Sequence, residues 1–125
     1  MLDPQNFSVY ANSDVDIFID VDPDDEIELV GATIVWRVYE QEFGQPVADL
    51  EPILEKTNGD GGTVVVTDPD AAILKIPLTP DDTIDLLRNY YHECTVVDPV
   101  RGNIPVANGI MTVLGTENRR PFTTT

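Results

Sequence analysis

Residues 74–98 constrain the fold of this chain more than any other stretch. They open with Leu74-Lys75-Ile76-Pro77-Leu78, pass through Thr79-Pro80-Asp81-Asp82-Thr83, and close with Tyr90-Tyr91-His92-Glu93-Cys94-Thr95-Val96-Val97-Asp98. The first and last pieces have the period of two that belongs to strands, with Leu74, Ile76 and Leu78 on one face and Tyr90, His92, Cys94 and Val96 on another. Between them, Thr79 suits a helix cap and Pro80 the first helical position, where no donor is needed. Asp81 and Asp82 suit the positive end of the helix dipole. The segment reads as strand, helical turn over residues 80–87, strand.

The same alternation recurs along the chain. Val15, Ile17, Ile19 and Val21 alternate with Asp16, Phe18, Asp20 and Asp22, as a strand with one wet face does. Asp22-Pro23-Asp24-Asp25-Glu26 breaks that pattern with a turn. Residues 32–39 are β-branched and aromatic, and put Ile34, Trp36 and Val38 on one face, with Trp36 as a core anchor. Phe43-Gly44-Gln45-Pro46 reads as a turn, residues 47–56 as an extended piece that Pro52 assigns to an edge, and Asn58-Gly59-Asp60-Gly61-Gly62 as a loop. Residues 63–67 and 72–78 are strands separated by Asp68-Pro69-Asp70. Residues 98–103 turn the chain into a last strand over 104–114.

The tally is about seven short strands with turns every ~8–12 residues, the pattern of an all-β, immunoglobulin-like β-sandwich. It occupies residues 14–114, after an N-terminal arm over 1–13 and before a C-terminal tail over 115–125. At 125 residues there is room for one core and one domain. A single cysteine, Cys94, excludes an intrachain disulfide and thiolate-rich metal sites. No apolar run approaches the roughly 18 residues of a membrane span, and the first residues lack the basic start of a signal peptide, so synthesis in the cytoplasm is expected. Seven basic against 23 acidic side chains give a formal charge of −16, which repels nucleic-acid phosphates and anionic lipid.

Three groups of residues bear on chemistry. Asp20, Asp22, Asp24 and Glu26 stand at alternate positions, as ligands in calcium loops do, but Asp25 and Gly31 occupy the places of the glycine and the bidentate glutamate that such a loop needs. A solvated acidic face that discourages edge-to-edge aggregation is the competing reading. His92 and Cys94 would suit a base and a nucleophile, yet they alternate in step with Tyr90 and Val96, which turns both toward the core. No catalytic site and no cofactor are expected. The tail carries Arg119, Arg120 and Phe122, a basic and aromatic spot on an acidic chain, and is the candidate partner-binding arm.

Ile27-Glu28-Leu29-Val30-Gly31-Ala32-Thr33-Ile34, running into Val35-Trp36-Arg37-Val38-Tyr39, resembles the phrase "apolar-acid-Leu-Thr-Gly-Ala-Thr-apolar" of small immunoglobulin-like domains in tailed-bacteriophage virion proteins. Gln45-Pro46-Val47 is similar to the turn that follows. Residues 74–83 are similar to their strand ending in "Leu-Thr-x-x-Asp-Thr", and Tyr90-Tyr91-His92-Glu93-Cys94-Thr95-Val96 to their "Tyr-Tyr-x-Asp-Val-x-Val" strand, closed by Gly109-Ile110-Met111-Thr112-Val113. Two departures are Arg88-Asn89 in place of a glycine and Cys94 in place of a valine. The resemblance implies a non-enzymatic virion component of tail, baseplate, neck or capsid. It would dock on other particle proteins, in multiple copies of a symmetric assembly. The alternative from another class is a calcium- or carbohydrate-binding adhesion module.

Overall fold

The alternating segments become two β-sheets in the computed structural model, which describes residues 5–21, 32–42, 45–46, 51–59, 62–68, 73–84, 86, 88–98 and 102–115. In chain order the elements are β1 (Phe7–Tyr10), β2 (Val15–Asp20), β3 (Thr33–Glu42), β4 (Gln45–Pro46), β5 (Leu54–Thr57), β6 (Val65–Asp68), β7 (Ile73–Leu78), α1 (Pro80–Thr83), β8 (Asn89–Asp98) and β9 (Gly102–Leu114). The larger sheet has the order β1-β9-β8-β3-β4, with β5 also paired to β3, and the smaller has the order β2-β7-β6. Every pairing is antiparallel except that of β1 with β9, which is parallel.

Both sheets bury one face in a shared core. The smaller sheet contributes Ile17, Ile19, Leu74, Ile76 and Leu78, and the larger Ile34, Trp36, Val38, Tyr90, Cys94, Val96, Met111 and Val113. Each set occupies every second position, so the pleat alone sends it inward while its neighbours meet water. Trp36 is fully buried and pairs in register with Cys94. One irregularity interrupts the longest ladder: Cys94 pairs with Ala107 and Thr95 with Pro105, which leaves Val106 as an extra residue. The bulge lets two sequence neighbours, Val106 and Ala107, both reach the core. It also accommodates Pro105, which has no N–H to give a ladder.

The structure departs from the sequence expectations at several boundaries. The helical turn predicted over 80–87 is a helix only at Pro80–Thr83. Residues 85 and 87 of that stretch lie outside the described residues, and by Arg88 the chain has rejoined the larger sheet, its carbonyl accepting the Val113 N–H at 3.0 Å. Part of the predicted arm over 1–13 is the sheet strand β1, whose partner lies more than a hundred residues away and leaves no local signal. Gln45 and Pro46, read as turn, pair back onto Glu42 and Gln41, and Asp68, also read as turn, ends β6. The described residues therefore hold nine strands where about seven are expected from turn spacing. The acidic turn over 22–26 and the tail over 116–125 lie outside the described residues.

Candidate functional site: an open strand edge

The segment that enters the fold is pinned by side-chain chemistry. His92 is fully buried on β8, where its Nδ1 accepts the Trp36 Nε1–H at 3.2 Å. That bond leaves Nε2 as the protonated nitrogen, which donates to the Gln5 carbonyl at 2.6 Å. Burial pushes the His92 pKa below its ordinary value, the bond to Gln5 opposing in part. The Phe7 ring covers the imidazole with centroids 4.8 Å apart. Gln5 N–H donates to the Asn108 carbonyl, and Ile110 N–H donates to Asn6 Oδ1. A Cβ on Gly109 would collide with the Gln5 carbonyl, so only glycine lets the segment approach this closely.

The Gln5 side chain then reaches across to the smaller sheet. Its Nε2 donates to the Asp20 carbonyl at 2.7 Å, and its Oε1 accepts the Asp20 N–H at 3.1 Å. One side-chain amide thus pairs with the end of β2 as a strand peptide would. The Asp20 peptide groups must point away from β7, and by strand alternation those of Phe18 and Asp16 point the same way. Among the described residues no strand pairs with β2 on that side.

Between β2 and the edge strand β1 of the other sheet runs a groove of ≈ 280 Å³, lined by Phe7, Ser8, Val9, Val15, Asp16, Ile17 and Phe18. Its floor is apolar and its rim acidic. Asp14, Asp16 and Asp20 are exposed, neither β1 nor β2 contains a Lys or Arg, and Phe18 is 58% exposed. An exposed large aromatic beside a strand edge that no described strand covers is the arrangement that edge strands ordinarily avoid.

No protein-family model and no characterised protein sequence matches this chain.

The residues singled out in the sequence fall in different places. Asp20 is described, with its main chain held by Gln5 and its side chain exposed, while Asp22, Asp24 and Glu26 lie outside the described residues. So do Arg119, Arg120 and Phe122. Among the described residues no three His, Cys, Asp or Glu side chains come together as a metal site. His92 and Cys94 face the core as their alternation predicts, together with Tyr90 and Trp36. The Cys94 thiol is pushed up to about 12 by burial, with the Glu93 charge adding to the effect. A thiol so protonated is a poor nucleophile. Sequence reasoning missed Gln5, Asn6 and Gly109. The available signal was a pair of side-chain amides just ahead of a short apolar alternation, which is a pattern of residues able to imitate a strand edge.

Proposed function

We propose that the protein is a non-enzymatic structural component of a bacteriophage particle that docks on other particle proteins, and that its two sheets form an immunoglobulin-like sandwich. The strand order supports the second part. Grouping β2-β7-β6 against β9-β8-β3, with the first strand joining the sheet of the last, is the arrangement of variable-type immunoglobulin domains. The fully buried Trp36 on β3, opposite Cys94 on β8, suits the same frame.

The observation that carries the role is the coincidence of the virion-like phrases with core strands. Thr33 to Val38 lie in β3, residues 74–83 in β7 and α1, Tyr90 to Val96 in β8, and Gly109 to Val113 in β9. A formal charge of −16 favours a soluble free pool and basic partner surfaces. Mass spectrometry of particles purified from the producing host tests the role. The reading expects the protein in fixed proportion to the major particle proteins, and its absence from washed particles would refute the assignment. A chain truncated after Leu114 tests the tail: incorporation falls if Arg119, Arg120 and Phe122 are the anchor, and full incorporation assigns docking to the rest of the molecule.

A further inference from the structure

We infer that the open edge of β2, from Val15 to Ile19, takes a short extended segment of a partner protein in which aliphatic residues alternate with arginine or lysine. This deepens the docking reading above by naming the chemistry of the partner.

Three independent features of the groove lead to it. The first is hydrogen bonding. Asp16 and Phe18 each turn an N–H and a C=O toward the gap, and the Gln5 amide on Asp20 marks where such a ladder begins. An added strand would continue in the direction that this side chain has started. The second is shape. The groove, at ≈ 280 Å³, falls just below the range of ~300–1,000 Å³ in which small-molecule pockets occur, and it is drawn out along a strand rather than closed around a centre. It suits the side chains of one strand face.

The third feature is the match of faces. A strand laid on β2 shares its two faces, because side chains alternate in step across a ladder. On the core side its residues would meet Phe7, Val9, Val15 and Ile17, which calls for aliphatic side chains. On the outer side they would meet Asp16 and Phe18, with Asp20 at the end, all exposed; Lys75 of β7 lies opposite Phe18 on the far side from the gap, and β1, across the gap, carries no base. A cation answers that face, and arginine answers it twice, since its guanidinium pairs with a carboxylate and stacks on an exposed ring. Alternation between aliphatic and basic residues is therefore required of the partner by the pleat of β2.

The test uses the full chain and acetylated, amidated six-residue peptides, followed by amide shifts in a two-dimensional NMR titration. The first peptide alternates arginine and valine. The second has the same composition in two blocks, and so the same charge without the face pattern. The third is the alternating peptide N-methylated at every second residue, which removes one edge of its ladder. The proposal expects the alternating peptide to shift Asp16 and Phe18 first. It expects the blocked and N-methylated peptides to bind about tenfold or more weakly, equivalent to ~1.4 kcal/mol. Asp16→Lys should weaken the alternating peptide by a similar factor. Equal binding of the alternating and blocked peptides, or shifts confined to other strands, would overturn the proposal. Because particle membership is measured separately, a failed titration with the protein present in particles removes only the strand geometry. Binding in the titration with the protein absent from particles removes only the virion role.

Discussion

His92 shows how one buried polar residue serves as a joint. Its two nitrogens hold Trp36 on one side and the Gln5 carbonyl on the other, so the neutral ring is fully satisfied and the charged ring would lose the Trp36 bond. Since the folded pKa lies below the unfolded value of 6.5, the unfolded chain takes up the proton first as pH falls. This contribution to stability is intact above pH 6.5, declines as pH drops from there to the folded pKa, and then levels off. The limiting slope is about 1.4 kcal/mol per pH unit. His92→Gln retains a donor and an acceptor but does not titrate, so chemical denaturation between pH 5 and 7 should show a flatter pH dependence than the native chain. Gly109→Ala acts on the same joint by steric means. Its Cβ would force the Gln5 carbonyl away from His92, with an expected loss of ~1–3 kcal/mol for the stranded donor. Hydrogen exchange should report faster opening of β1 than of β3 or β8.

At the scale of elements, α1 is a single turn that nevertheless ties the sheets together. Asp82 Oδ2 accepts the Thr79 N–H at 2.8 Å and meets Lys56 Nζ of β5 at 2.8 Å, with side-chain exposures of 15% and 17%. Burial pushes the Asp82 carboxyl up, but the bonds to Lys56 and Thr79 outweigh it and leave the pKa below 3.8. The stability this provides is present above pH 3.8 and is lost as pH falls through the lower folded value. Lys56→Met should cost ~1–3 kcal/mol, between the exposed and the buried ion-pair cases. It should also flatten the acid limb of a melting-temperature profile below pH 4. Thr79, Pro80, Asp81 and Asp82 announce this turn in the sequence because capping is a local matter. The inward faces of β2, β3, β7 and β8 were legible for the same reason, each being written in consecutive alternate residues. What the sequence does not announce is long-range: the parallel pairing of β1 with β9, the Gln5 amide on Asp20, and the bond from the Val113 N–H to the Arg88 carbonyl. The groove between β1 and β2 belongs to that class, being made of two edges that only the fold brings together.

For the whole molecule, the charge of −16 makes ionic strength the simplest control on the proposed docking. Docking on basic surfaces should weaken as salt rises from ~0.01 to 0.15 M, where the screening length shrinks from about 30 to 8 Å. A docking constant independent of salt, measured by titration calorimetry against whichever particle protein binds, would assign the contact to apolar burial instead. The parallel β1–β9 pair carries a different consequence. Gln5 lies beside Asn108 and Ala11 beside Leu114, so the described chain joins the sheet at one end of this pair and leaves it at the other. Tension applied through the two flanks would slide the strands along each other and load all their hydrogen bonds at once, rather than unzip them one by one. A domain strung this way would serve as a mechanical link, with its lifetime under load set by the rate at which β1 shears from β9.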